Sequence, residues 1–226
     1  MTTKPTYGQE YAARQLRRRR NPIRRAIKHF YLQNMLREVR GRTVDLGFGA
    51  GQLLERLPEG SLGLEVNPHL VEEARKAGLN AALYDTTAEE PLIGALPANA
   101  YSTLVMAHVL EHFSDADTMV RKILRSCRTL GIGRVIFVVP GAKGYRFDST
   151  HRTFVNRRYL EEHGLMTFEE YALTRFRYFP GNVEWIGKYY TFHEFLFVYD
   201  NVKRTPRYDG PTSGRGAPPS SGTTTT

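Results

Sequence analysis

The chain has one cysteine, Cys127, and one tryptophan, Trp185, in 226 residues. A single thiol excludes an internal disulfide and a cysteine-built zinc cluster, and it fits a reducing compartment. Long apolar runs are missing too. The strongest, Val135-Ile136-Phe137-Val138-Val139, falls far short of the ~20 residues that carry a helix across a bilayer. The basic N-terminus carries no apolar leader, so a cytoplasmic location is expected. Acidic residues are scarce only at that end. Residues 1–42 hold 12 Lys/Arg against 2 Asp/Glu, whereas 43–226 hold 20 against 21. The net charge of +9 therefore belongs to an N-terminal arm and is no argument for nucleic-acid binding by the rest.

Composition and periodicity divide the chain into a basic helical arm (1–41), an α/β body (42–204) and a tail (205–226). The tail is rich in Pro, Gly, Ser and Thr, which cannot build a core, and is expected to be disordered. Residues 1–6 are expected to fray. In the arm, a helix is expected over 7–20. Asn21-Pro22 then reads as an N-cap followed by proline at the first helical position. The next helix repeats apolar residues at Ile23, Ala26, Ile27, Phe30, Tyr31, Met35, Leu36 and Val39. Arg24, Arg25 and Lys28 fall mostly off that stripe. They suit a solvated face, or contact with a phosphate-bearing substrate, RNA or an anionic membrane surface. In the body, strand-like segments (43–47, 61–66, 80–84, 101–107, 133–139) alternate with helix-like ones (51–57, 69–77, 116–129, 156–163). This alternation implies a mostly parallel sheet covered on both faces. Two Phe/Tyr-rich strands follow, near 168–178 and 192–200.

The most informative stretch is Val44-Asp45-Leu46-Gly47-Phe48-Gly49-Ala50-Gly51. A strand runs into a loop with three alternate glycines, which let backbone approach a ligand closely. That predicts a nucleotide-like cofactor at a strand's carboxyl end. The third glycine comes one residue earlier than in the dinucleotide fingerprint G-x-G-x-x-G. Three further signals follow later strands. Glu65 ends the second strand, 18 residues after Gly47, where a carboxylate can accept both hydroxyls of a ribose. Asp85-Thr86 follows the third strand, where Asp85 can accept from an exocyclic amine and the next N–H can donate to a ring nitrogen. Ala107-His108-Val109-Leu110-Glu111-His112 follows the fourth.

In these four stretches the chain resembles the class I S-adenosylmethionine-dependent methyltransferases, and most of all a small-molecule branch with a Leu-Glu-His signature. The resemblance covers roughly 40–165. It implies a Rossmann-like, doubly wound, seven-stranded sheet, mostly parallel with an antiparallel last strand and helices on both faces. The implied cofactor is S-adenosylmethionine, bound by Asp45, Gly47, Phe48, Gly49, Gly51, Glu65, Val66, Asp85, Thr86, Ala107 and His108. Within that set Gly47, Phe48 and Gly49 would line the methionine portion. Glu65 would hold the ribose, Val66 would pack on the adenine and Asp85 would read its amino group. Ala107 and His108 would border the sulfonium.

His108, His112 and His151 are the candidate catalytic bases, because imidazole titrates near neutrality. His112 equally suits a structural tie to a backbone carbonyl, and His151 an exposed loop position. His108, Glu111 and His112 also resemble, position for position, a metal-binding trio in ubiquinone-biosynthesis O-methyltransferases, which have a glutamate where this chain has His108. Imidazole in place of a carboxylate argues against a hard magnesium site, and no metal is expected. Tyr145, Trp185, Tyr189, Tyr190 and Phe192 suit either an acceptor pocket or the core. The expected function is methyl transfer to an oxygen or nitrogen of a small-molecule acceptor. The alternatives are a methyltransferase for RNA or a phosphate- or lipid-linked acceptor, or a non-catalytic cofactor-binding module.

Overall fold

The computed structural model describes residues 8–20, 22–84 and 96–203. Asn21, Asp85, Thr86, residues 1–6 and the 205–226 tail lie outside that set. One eight-stranded sheet runs through the body in the order β3-β2-β1-β4-β5-β8-β7-β6. Its strands are β1 (Thr43–Leu46), β2 (Leu62–Glu65), β3 (Ala81–Leu83), β4 (Thr103–Ala107), β5 (Arg134–Pro140), β6 (Thr167–Phe168), β7 (Tyr171–Phe179) and β8 (Glu194–Asn201). The first five are parallel, and β8 runs antiparallel between β5 and β7. β5 is the continuous apolar run Arg-Val-Ile-Phe-Val-Val-Pro, and all seven residues are buried. A central strand covered on both faces requires that pattern.

The count of eight corrects the expected seven. Thr167 and Phe168 fold back on Ala172 and Tyr171 as a two-residue edge strand. So short a hairpin arm carries no period of its own in the sequence.

Among the described residues six α-helices accompany the sheet: α1 (Gln9–Arg20), α2 (Pro22–Leu36), α3 (Pro68–Lys76), α4 (Ala116–Leu130), α5 (Ala142–Phe147) and α6 (Arg157–Glu162). The Asn67 side chain caps α3, accepting from the N–H groups of His69 and Leu70 at 3.0 and 3.3 Å, with Pro68 at the first helical position. α4 stops at Gly131, which takes a left-handed φ of 74°. One face of the sheet packs on α4 through Val120, Ile123, Leu124 and Cys127. The other receives Leu32 and Met35 of α2 against Val105, Ile136, Val138, Leu196 and Val198.

Two expected helical features change. The helix predicted over 51–57 is a single 3-10 turn, Leu54–Arg56. Pro58 ends it: the residue before a proline is pushed out of the α region, and Leu57 is extended at φ −72° and ψ 157°. On α2, Phe30 is 65% exposed whereas Leu32 is buried, so the buried stripe passes through Tyr31, Leu32 and Met35.

At the amino end of β5, Arg134 forms a two-pronged pair with Asp200 (2.7 and 2.9 Å) and also reaches the Glu38 carboxylate at 3.3 Å. This clasp fixes the segment after α2 at the opposite end of the sheet from the cleft described next.

Candidate active site

Strand order reverses between β1 and β4, and in such sheets ligands bind outside the carboxyl ends at that crossover. A cleft of about 940 Å3 opens there. Asp45, Gly47, Phe48, Gly49, Glu65, Val66, Ala107, His108 and His112 all line it. Gly51 does not; its N–H donates to the Phe48 carbonyl at 3.0 Å and closes the turn.

The glycines are there for two different reasons. Gly47 has φ +78°, and a Cβ there would lie 2.4 Å from the Val109 Cγ2 methyl. Gly49 has φ +56° with nothing within 4 Å of a would-be Cβ. That space is open cleft, so a side chain at 49 would occupy ligand volume. Phe48 turns its ring into an apolar cluster with Leu54, Val71, Ala74 and Ala81 while bordering the cleft.

Glu65 is buried, and its carboxylate accepts from three backbone N–H groups. Oε2 takes that of Gly49 at 2.9 Å, and Oε1 takes those of Val66 at 2.9 Å and Asn67 at 3.1 Å. Burial pushes its pKa up, and the three donors pull it back. Three of roughly four acceptor directions are filled, which leaves capacity on Oε2 for a ligand hydroxyl. Asp45 is buried at the end of β1, and its Oδ2 has no hydrogen-bond partner. Burial pushes its carboxyl up to about 7, with Lys28 of α2 pulling down and Glu65 pushing up.

Past β4 the backbone turns at His108, a non-glycine residue at φ +56°, a conformation that costs roughly 1–2 kcal/mol. Its Nε2 lies 2.8 Å from Glu194 Oε1, and its Nδ1 3.5 Å from Glu111 Oε1. Desolvation works against a charged ring, but Glu194 and Glu111 outweigh it and raise the His108 pKa well above the ordinary range. A ring that holds its proton this firmly is no base at neutral pH. His108 is where the sequence places it, but as one half of an ion pair.

His112 and His151 face each other with ring centroids 4.9 Å apart. His112 Nδ1 lies 3.4 Å from the Thr150 carbonyl and 3.2 Å from its hydroxyl, the structural tie of the second expectation. His151 is not an exposed loop residue. It stacks on Tyr145 at 5.6 Å, and its Nδ1 lies 2.8 Å from the Tyr145 carbonyl. Between them Glu111 is 1% exposed, with neither carboxylate oxygen hydrogen-bonded.

Several cleft residues are missed by the sequence reading. Tyr11 and Gln15 of α1, Tyr31 of α2, and Arg152, His193 and Glu194 line it, as does Lys28, which the sequence offers for a phosphate-bearing substrate. None belongs to a motif, and the helical contributors come from more than ten residues outside the alternating body. His193 is buried with no hydrogen bond to either ring nitrogen, and desolvation lowers its pKa. Of the aromatics, Trp185, Tyr189, Tyr190 and Phe192 are all partly exposed, from 38% to 72%, and are not core. Phe192 lines the cleft. Cys127 is buried with its pKa raised by burial and is no nucleophile.

Comparison with known proteins agrees with this geometry. A family model described as a methyltransferase domain matches residues 44–135. Among solved structures, a SAM-dependent methyltransferase from Archaeoglobus fulgidus is similar at 13% identity and TM-score 0.57, over 78% of this chain and 94% of that one. A Haloferax volcanii protein solved in complex with the Trm112 methyltransferase activator aligns at 17% identity and TM-score 0.58, over 85% and 96%. Magnesium protoporphyrin IX methyltransferase from Synechocystis PCC 6803, with bound SAH, aligns at 14% identity and TM-score 0.51, over 80% and 88%. Comparison with curated protein sequences finds no match. Residues 44–135 match the methyltransferase-domain model, and the body shares the fold of the class I S-adenosylmethionine-dependent methyltransferases. The cofactor of that class is S-adenosylmethionine. The residues present fit it: an open cradle at Gly49, a buried carboxylate oxygen without a hydrogen bond on Asp45 and spare acceptor capacity on Glu65. Among the described residues no helix is long and apolar enough to cross a membrane.

Proposed function

We propose that the chain moves a methyl group from S-adenosylmethionine to an oxygen or nitrogen of a small-molecule acceptor. The observation that carries this reading is the size of the cleft and the helices that wall it. One cavity extends from the glycine loop to the His108–His112 turn, and α1 and α2 contribute Tyr11, Gln15, Lys28, Tyr31 and Leu32 to its wall. At about 940 Å3 it sits near the upper end of the roughly 300–1,000 Å3 of ordinary ligand pockets. That suits a nucleoside-sized cofactor and a small acceptor together. A polymer would need a trough open at both ends.

When bound, the cofactor supplies an electrophilic methyl on a sulfonium. The protein's part is alignment and exclusion of water. In our reading the backbone at 47–49 cradles the amino-acid portion, Asp45 accepts from its ammonium and Glu65 accepts from the ribose. Val66 packs on the adenine, and Asp85 and Thr86 complete its recognition. Ala107 borders the transferring methyl, and the His108–Glu194 pair fixes the turn beside it. A proton that must leave the acceptor goes to an imidazole that is neutral at rest. His193, whose pKa burial lowers, meets that condition; His108 does not.

The test is incubation of the full chain with methyl-labelled cofactor and a metabolite extract, followed by mass spectrometry. A labelled compound of low mass is the expected product. Label confined to RNA or to lipid-linked material would replace the acceptor class. Cofactor binding with no labelled product would favour a non-catalytic module.

The exposed Arg14 and Arg17 of α1 keep a polyanionic acceptor as the second reading. Deleting the arm would open the cleft wall at Tyr11 and Gln15, so Arg14→Gln with Arg17→Gln is the cleaner probe. Product yield and its salt dependence should stay unchanged for a small acceptor and fall for a polyanion.

A further inference from the structure

The exposed apolar surface is concentrated in one lobe. Among the described residues ten large apolar side chains are exposed, and six of them are Phe147 of α5 and five residues of the 183–192 segment. That segment holds a 3-10 turn, Glu184–Lys188, and α5 packs against it. Phe147 is 80% exposed, Tyr189 72%, Trp185 59% and Tyr190 38%. Apolar side chains scattered singly over a surface need no explanation, but a contiguous group marks a contact.

This group is contiguous and held in place. The Lys143 ammonium donates to the Tyr189 carbonyl at 2.8 Å, and Phe147 stands four residues on, on the same face of α5. The Trp185 and Tyr189 rings meet edge-on with centroids 6.4 Å apart. Two glycines close the seam between α5 and the turn. A Cβ at Gly144 would lie 2.6 Å from the Thr191 carbonyl oxygen, and one at Gly187 3.3 Å from the Ala142 nitrogen. The two segments therefore meet through main chain, which leaves their large rings nowhere to go but outward.

At roughly 150–250 Å2 for an aromatic side chain, the exposed fractions of Phe147, Trp185, Tyr189 and Tyr190 amount to roughly 400–600 Å2 of apolar surface. One side of a standard protein interface covers about 800 Å2 and is about 56–65% apolar, so the lobe supplies the apolar area that one side of a stable dimer needs. Exposed charges of both signs rim it: Lys143, Arg146 and Lys188 against Asp148 and Glu184. An anionic bilayer is better met by an excess of basic residues, whereas a copy related by a two-fold axis brings both signs to face both signs. We infer that this lobe is the isologous interface of a homodimer, with Trp185 and Tyr189 at its apolar core and the charged residues at its rim. Dimerisation through this lobe does not depend on which acceptor is methylated.

The test is sedimentation velocity of the full chain over roughly 1–100 μM, with the single tryptophan as a second readout. The expected species has twice the 25.8 kDa of one chain. Trp185 emission should move to the blue as the concentration rises, because association takes its ring out of water. Phe147→Gln with Tyr189→Gln changes two exposed positions, so the Tm should hold. Each change enters twice across a two-fold axis, so the dimer dissociation constant should rise by at least roughly a hundredfold, and Trp185 emission should no longer depend on concentration. Phe30→Gln, at a 65% exposed position on α2, should leave the dimer unchanged. A wild-type chain that stays monomeric across the range would overturn the interface, as would a double variant that dimerises like the wild type. A monomeric chain whose Trp185 emission shifts only on adding equimolar phosphatidylcholine–phosphatidylglycerol vesicles would put a membrane surface in place of the second copy. Should the double variant not fold, Trp185→Gln decides by mass alone: a monomer is expected, and an undiminished dimer would overturn the interface.

Discussion

The glycine-loop end of the cleft is walled mostly by main chain: Gly47 and Gly49 with left-handed φ values, beside the Glu65 carboxylate clamped by three backbone N–H groups. The other end is walled by side chains drawn from the β4 turn, the 148–153 loop, the start of β8 and the two N-terminal helices. The first end is a property of how one strand passes into one turn. The second exists only once distant segments are packed. The two ends should therefore respond differently to substitution. Changes at 47–65 should act through backbone geometry and weaken cofactor binding. Changes at the far end should leave it intact.

The largest expected effect is at Gly47. Alanine there combines a left-handed φ of +78° with a Cβ 2.4 Å from Val109 Cγ2. The conformational and overpacking costs together reach roughly 2–5 kcal/mol, which is a fall in Tm of roughly 5–15 °C at this size. Calorimetry of Gly47→Ala should show that fall together with loss of cofactor binding. Gly49→Ala is the contrast, since open space surrounds its Cβ. It should lose affinity for the cofactor with a Tm drop of no more than roughly 2–8 °C, the φ cost alone. Equal destabilisation in both would mean that position 49 is not ligand space.

Next in size is Glu65→Gln. The amide can present only one acceptor oxygen, while Gly49, Val66 and Asn67 all point N–H groups at the side chain. Its NH2 must face either a backbone donor or the ribose. Loss of one charge-assisted hydrogen bond, about 1.5–3 kcal/mol, predicts a cofactor affinity lower by roughly tenfold or more. Isothermal titration checks it, and unchanged affinity would remove Glu65 from the ribose.

The same contrast decides what a reader of the sequence can see. Asp45, Gly47, Phe48, Gly49, Glu65, Val66, Ala107 and His108 all reach the cleft because each sits at a fixed offset from a strand end, and strand ends are legible from apolar runs. Tyr11, Lys28, Arg152, His193 and Glu194 reach it through packing, which no spacing encodes. His108 shows the boundary between the two. Its position follows from the end of β4, but the charge that Glu194 favours on its ring depends on a residue 86 positions away. The expected helix over 51–57 fails for a local reason, the proline at 58. The eighth strand was missed because two residues make no pattern.

Asp45 tests the electrostatic side of the cofactor end. Its carboxyl stands near 7 in the fold against about 3.9 for a free side chain. The native protein therefore holds the extra proton between about pH 4 and pH 7, so unliganded stability should fall as pH rises through that window. Asp45→Asn should flatten the profile and raise the apo Tm at pH 8 by roughly 5–10 °C. If Asp45 accepts from the cofactor's ammonium, affinity for S-adenosylhomocysteine should improve from pH 6 to pH 8 in the wild type and not in Asp45→Asn. A variant that matches the wild type in both profiles would show that the Lys28 and Glu65 charges facing Asp45 already balance it.

The smallest expected change in cofactor binding belongs to the far wall. Phe192 is 44% exposed and lines the cleft beside His193 and Glu194, so its ring is half unburied at rest and contributes little to folding. Phe192→Ala removes apolar surface that an acceptor would cover, at about 25 cal/mol per Å2. Covering roughly 50–80 Å2 of that ring amounts to ~1–2 kcal/mol, or a KM for the acceptor raised by roughly 5–30-fold. The Tm and the affinity for S-adenosylhomocysteine should stay within about twofold-equivalent limits of the wild type, under ~0.5 kcal/mol, as for a surface substitution. The split between the two ligands is the measurement that counts. Acceptor KM rising while cofactor affinity holds would keep the two ends independent. A matching loss of cofactor affinity would mean that the far wall shapes the glycine-loop end as well, and that the cleft is one site without a division.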